Sequence, residues 1–154
     1  MLDVRGATDE EMAIVHQIML DAFEEYRGAL DPPSGAHTET LDDVRASAAE
    51  GGAILAILDG ISVGSARYEF KADHVYCGRL AVLPTARGRG IGGRMLEFIH
   101  EVAKLHGYPE VRLSTREVME SNRRLYLRHG YGIVRRARHP KGGGIVLDFV
   151  KRIS

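Results

Sequence analysis

The run Leu80-Ala81-Val82-Leu83-Pro84-Thr85-Ala86-Arg87-Gly88-Arg89-Gly90-Ile91-Gly92-Gly93 holds the residues best suited to chemistry in this 154-residue chain. Glycines at 88, 90, 92 and 93 let the backbone come close to a ligand and let successive N–H groups point the same way. The residues before them read as an apolar strand. Those after them read as the opening of a helix, whose free amides and positive dipole end serve the same place. Strand, glycine loop and helix start make a cradle for an anion, most often a phosphate. Arg87 and Arg89 set positive charge beside it. The plain alternative is a glycine turn that holds nothing.

Three phosphate motifs compete. A kinase-type loop needs Lys-Ser or Lys-Thr after its last glycine, and none follows here. Gly88, Gly90 and Gly93 satisfy the dinucleotide spacing, with Glu110 downstream. That motif follows its strand by a tight turn, however, and Leu83 to Arg87 intervene. Its acid also ends a strand, whereas Glu110 precedes one. The third motif is Arg87-x-x-Gly90-x-Gly92 behind Leu-Ala-Val-Leu-Pro. It resembles the coenzyme A diphosphate loop of the GNAT N-acetyltransferases. A second segment, Asn122-Arg-Arg-Leu-Tyr126-Leu-Arg-His-Gly130-Tyr131, is similar to that family's Asn-x-x-x-Tyr-x-x-x-Gly-aromatic segment.

The elements that must position these residues can be read in order. Leu2 to Arg5 alternates as a strand. Thr8-x-x-Glu11 is a capping box, and Met12, Val15, Met19, Ala22, Phe23 and Tyr26 then recur with helical period. Asp31-Pro32-Pro33-Ser34-Gly35 breaks that helix. Thr40-x-x-Asp43 opens a shorter one, which Gly51 would end. Residues 53–58, 61–70 and 74–82 read as strands, the first two joined at Asp59-Gly60. A helix over 90–106 presents Ile91, Met95, Ile99, Val102 and Ala103. A strand over 111–114, a helix over 121–129 capped by Gly130, and strands over 131–137 and 145–153 complete one domain spanning 1–154. The order β-α-α-β-β-β-α-β-α-β-β matches the GNAT architecture, an α/β fold (an α+β mixed sheet) with splayed central strands.

The resemblance implies acetyl-CoA as acyl donor, with no metal, and direct attack of a primary amine through a tetrahedral intermediate. It implies cofactor contacts at Leu80, Ala81, Val82, Arg87, Gly88, Arg89, Gly90, Ile91, Gly92, Gly93, Asn122 and Tyr126. Leu80 and Val82 would act through main-chain groups. Tyr126 stands where the family keeps its general acid. A phenol, with a pKa of about 10, is protonated at neutral pH and can donate to a departing thiolate. The plain alternative for Tyr126 is a packed aromatic. Some relatives carry a glutamate before the glycine loop. Tyr76-Cys77-Gly78-Arg79 stands there instead, so Glu69, Asp73, His74 or ordered water remains as the base. Cys77 as an acyl-carrying nucleophile lacks a partner base. The loop from Gly28 to Thr40 corresponds to the region that closes over the acceptor, which puts Tyr26, Leu30 and His37 forward as acceptor contacts. Phe23 is a further candidate there, or simply core.

Composition bounds the rest. The chain has no net charge. Residues 1–74 nevertheless carry 15 acidic against 5 basic side chains, and residues 75–154 carry 6 against 16. An acidic half would suit an approaching amine and a basic half the phosphates; two solvated surfaces would look the same. Zero net charge and few aromatics argue against nucleic acid. No apolar run nears the roughly 18 residues of a membrane helix, and no signal-peptide core opens the chain. One cysteine gives neither a disulfide framework nor a zinc cluster. These features suggest a cytoplasmic protein; the resemblance implies a small-molecule or peptide amine as acceptor, and the chain could be a monomer or a homodimer. A domain that binds acetyl-CoA as sensor or scaffold, without turnover, is the alternative. Arg135, Arg136, Arg138, His139 and Lys141 could hold a substrate carboxylate or the 3′-phosphate, or could guard a strand edge.

Overall fold

A computed structural model describes residues 1–153. Thr40 and Asp43 exchange the two hydrogen bonds of a capping box, Asp43 N to Thr40 Oγ1 at 3.2 Å and Thr40 N to Asp43 Oδ2 at 2.9 Å. Thr8 and Glu11 form the other box, which opens a single 3-10 turn running into the first helix. The chain order is β1 (Leu2–Gly6), α1 (Met12–Phe23), α2 (Leu41–Ala49), β2 (Gly51–Leu58), β3 (Ile61–Phe70) and β4 (Val75–Val82). There follow α3 (Ile91–Leu105), β5 (Glu110–Arg116), α4 (Glu120–Arg128), β6 (Gly132–Arg138) and β7 (Ile145–Arg152). The expected α/β order is present, with short 3-10 turns between elements.

Two local readings change. The first helix stops at Phe23, and Glu24–Tyr26 tighten into a 3-10 turn. Gly51 does not cap α2; Glu50 does, and Gly51 begins β2. A Cβ at Gly51 would collide with the Tyr68 carbonyl oxygen of β3. This glycine serves close strand approach rather than a left-handed cap.

The seven strands lie in the order β1-β2-β3-β4-β5-β7-β6. Every neighbouring pair is antiparallel except β4–β5, which is parallel and pairs only at Val75↔Val111 and Tyr76↔Arg112. Beyond Tyr76 the two strands part. A bulge contributes to the divergence. The β3–β4 register shifts between Ser65 and Arg67, opposite a stretch of β4 in which Arg79 takes φ 52°. An arginine in the left-handed region is held there by its surroundings. The extra residue flips the side-chain alternation. Val75 and Cys77 face one core before the bulge, and Leu80 and Val82 face that same core after it.

Each face of the sheet carries its own core. On one, α3 buries Ile91, Met95, Leu96, Ile99 and Ala103 against the strands, together with Tyr126 of α4. On the other, α1 and α2 bury Met12, Val15, Met19, Phe23 and Val44. Complete burial of a Leu, Ile or Met is worth about 1.5–3 kcal/mol, so these two layers fix the helices on either side of the split. No helix among the described residues is long and apolar enough to cross a membrane. β6 is an edge strand and almost wholly exposed, with Arg136 paired to Glu117 at 2.6 Å. Exposed charge on an edge strand is of the kind that discourages pairing with another chain.

Candidate active site

α3 begins at the mouth of the split. Its N-cap, Gly90, has φ 76°, and Gly88 has φ 80°. Both lie in the left-handed region that glycine occupies without a steric penalty. The turn they impose leaves a row of open donors. Among the described residues, the amides of Gly88 to Gly93 donate to no protein group, while Arg94 N resumes the helical ladder at Gly90 O. These residues border a cavity of about 690 Å³. Leu80, Ala81 and Val82 form its floor. The Ala81 side chain is buried in the opposite core, so this residue meets the cavity through its main chain.

Arg87 has a further part. Its Nε donates to the Val82 carbonyl at 3.1 Å and its Nη2 to the Ala22 carbonyl at 3.3 Å, and it pairs with Glu25. The side chain thus ties the loop to α1. Arg89 is exposed beside the cradle. Gly92 and Gly93 admit α4: a Cβ would stand 2.9 Å from Leu125 Cδ2 at the first and against His129 at the second.

A second cavity, of about 460 Å³, lies farther along the split between β4 and β5. Phe23, Leu80, Met119 and Asn122 line both cavities and join them. Asn122 is held by a long contact from Nδ2 to Thr115 Oγ1, at 3.5 Å. Tyr126 borders the second cavity and is 4% exposed. Burial first, then the neighbouring Cys77 and tyrosines, push its hydroxyl well above the ordinary phenol value, and no hydrogen bond enters that balance. Cys77 lies in the same wall, and burial pushes its thiol up to about 12. It is a neutral packing group at physiological pH.

The acceptor candidates divide. Leu30 lines the second cavity; Tyr26 lines the first instead. His37 borders neither, and both its ring nitrogens are buried without partners. Glu69 lines the second cavity, bonded by Lys71 at 2.8 Å and Ser47 Oγ at 2.9 Å. Lys71 chiefly holds its carboxyl below the usual range, against the effect of burial. Asp73 and His74 pair with each other at 2.7 Å outside both cavities. Of the basic cluster, only His139 reaches the second cavity.

Sequence reasoning did not single out Glu39, Arg67 or Arg116, all of which line the second cavity. A signal existed for Arg67. It stands in a strand whose residues 63–67 are all buried, on both faces, and a charge there has to be explained.

The mixed sheet opens at its parallel pair, with a run of free backbone amides at the mouth, an arrangement suited to an anionic ligand. The chain belongs to the acetyltransferase (GNAT) family, whose model matches residues 14–131. The fold is similar to an N-acetyltransferase from Staphylococcus aureus Mu50, at 15% identity and TM-score 0.79, over 100% of this chain and 99% of that one. It is also similar to the ribosomal-protein-S18-alanine N-acetyltransferase from Escherichia coli, at 17% identity and TM-score 0.76, over 100% and 95% of the two chains. A third similar structure is a GNAT family acetyltransferase from Elizabethkingia anophelis with acetyl-CoA bound, at 14% identity and TM-score 0.76, over 98% and 97%. No curated protein sequence matches the chain.

Proposed function

We propose that this protein, acting as one domain over residues 1–154, is an N-acetyltransferase that moves the acetyl group of acetyl-CoA to a primary amine. The observation that carries the reading is one continuous path. It starts at the unbonded amides of Gly88 to Gly93, follows the strand edge from Val82 to Leu80, and reaches the cavity bordered by Tyr126. A diphosphate suits those amides, because a run of six free donors at a helix start is matched by an acceptor rich in oxygen and negative charge. The family and the acetyl-CoA-bound relative support the same ligand.

Acetyl-CoA supplies an acyl group activated as a thioester. The chain's own residues do the rest. The amides from 88 to 93 hold the diphosphate, and Arg87 keeps the loop against α1. Leu80 and Val82 offer the pantetheine arm main-chain groups on the side of β4 that has lost its strand partner. Asn122 borders the arm where the two cavities meet. Donors on a splayed strand also suit an oxyanion that forms at the thioester carbon. Tyr126, kept protonated by burial, donates its hydrogen bond and then its proton to the sulfur as the C–S bond breaks and negative charge builds there, and the phenol regains a proton from solvent. Glu39 is held by two arginines and Glu69 by Lys71 and Ser47; of these two acids lining the cavity, Glu69 is the one assigned to receive the amine's proton, directly or through ordered water. A carboxylate so depressed is a weak base, so it passes the proton on to solvent.

The test is release of free thiol from acetyl-CoA with a panel of amines, wild type against Tyr126→Phe. Amine-dependent release that collapses in the variant supports the reading. Undiminished turnover removes Tyr126 from the mechanism. Binding of acetyl-CoA without turnover on any amine would favour a sensor or scaffold.

A further inference from the structure

The second cavity carries more positive charge than its acids balance. Arg67, in the middle of β3, is 5% exposed, and its Nη2 donates to both oxygens of Glu39 at 2.9 and 3.0 Å. Its Nε and Nη1 are buried with no acceptor. Arg79, at the bulge of β4, donates from Nε to the same carboxylate at 2.8 Å. Its guanidinium packs over Gly35, where a Cβ would come within 2.9 Å of Nη2. Arg116, at the end of β5, faces the cavity from the other side of the split. Its Nη1 is buried with no acceptor, and its Nη2 has only a long contact to the Pro33 carbonyl, 3.5 Å.

The acids nearby are already engaged. Glu39 serves two arginines at once, and Glu69 is taken by Lys71 and Ser47. Asp31 lies close enough to favour Arg116's charge, but its Oδ2 accepts the Gly143 amide at 3.0 Å. Burial, then the like charge of Arg79, hold Arg116 below the ordinary guanidinium range. Buried guanidinium donors without acceptors are costly, and the planar fork of arginine matches an oxyanion in two-pronged fashion.

We infer that the acceptor is an anionic amine of amino-acid size: a primary amine carrying an oxyanion that Arg116 and Arg79 bind, with Arg67 positioning Arg79 through their shared Glu39. This specifies the substrate class of the acetyl-transfer reading and rests on it. The cavity, about 460 Å³, is within the usual range for a small ligand. Tyr126 and Leu80 line it too, so an amine whose anion sits on the arginines stays near the acyl donor's path.

The experiment is thiol release with the common amino acids. The best of them is then compared with its carboxamide, its decarboxylated amine and its aminophosphonate isostere. The carboxylate or phosphonate should exceed the two forms lacking the anion at least tenfold in kcat/KM, and the better of the pair names the anion. Arg116→Gln should bring the acid-to-carboxamide ratio toward one through KM. Equal use of the uncharged forms, or a variant that lowers acid and carboxamide alike, overturns the inference while leaving acetyl transfer intact. If no amine is acetylated, calorimetry with N-acetylated amino acids and their carboxamides decides. Tighter binding of the acids upholds the anion site although the catalytic reading has failed; equal binding, or none, overturns it.

Discussion

The two cavities along the split in the sheet are made of different materials. The one at the start of α3 is a backbone site. Its distinctive polar groups are the consecutive free amides of Gly88 to Gly93, four of them from glycines, with Arg89, Arg94 and Arg128 lining the cavity around them. The one toward the acceptor loop is a side-chain site. Its polar groups are guanidinium and carboxylate ends brought from the loop after α1 and from β3, β4 and β5. Backbone donors are fixed by the local turn and are suited to a ligand that stays the same. Side chains can change one at a time, which suits an acceptor that differs between proteins of one fold.

That contrast can be broken or sharpened by mutation. The largest effect should come where the cavities meet. Tyr126→Phe removes the one proton donor assigned to the sulfur, and general acid catalysis contributes roughly 10²–10⁴-fold. We expect kcat to fall about 100-fold with little change in KM for acetyl-CoA, read by steady-state thiol release. An equal loss in binding would make Tyr126 a packing residue.

Next is Gly90→Val. There is room for a side chain at Gly90, since a Cβ would meet nothing within 4 Å. The backbone, at φ 76°, is what resists. Left-handed strain at a non-glycine residue costs about 1–3 kcal/mol. Calorimetry should therefore show acetyl-CoA bound roughly tenfold more weakly or worse, with binding of an N-acetylated amino acid retained. Loss of both would mean that the two sites are not separable.

Glu39→Gln tests the other cavity through pH. Burial alone would raise the Glu39 carboxyl, but hydrogen bonds and charge from Arg79 and Arg67 win and hold it below the usual range. Its folded value thus lies below the unfolded one, near 4.3. The ionised form stabilises the fold above about that pH, and the contribution disappears as pH falls toward the folded value. The wild-type Tm should drop more steeply between about pH 5 and pH 3 than that of the variant. Parallel profiles would mean that the two arginines do not matter to folding.

The smallest effect is expected from Arg87→Met. The arginine's two hydrogen bonds to carbonyls, worth about 1 kcal/mol each, anchor the loop to its surroundings, so affinity for acetyl-CoA should weaken only a few-fold. A loss of 100-fold would mean that Arg87 grips the ligand itself.

The same contrast explains what could be read without a structure. The cradle was legible because a backbone site demands glycine at fixed spacing, all within one stretch from Leu80 to Gly93. The order of elements along the chain was legible because alternation, the Asp59-Gly60 turn and the capping boxes are local signals. The acceptor site was not, because Glu39, Arg67, Arg79 and Arg116 lie in four separate segments and meet only through the fold. The bulge at Arg79 left no mark, since nothing about an arginine announces a left-handed backbone. Gly51 misled for a related reason. Its role depends on Tyr68 across the sheet, which local pattern does not reveal.

The most direct measurement is backbone amide NMR of the labelled protein during titration with acetyl-CoA. The account predicts saturable shifts concentrated on the amides of Gly88 to Gly93, with the Tyr126 ring responding as the acyl end arrives. Saturation with those six amides unmoved, or no response to acetyl-CoA at all, would contradict it.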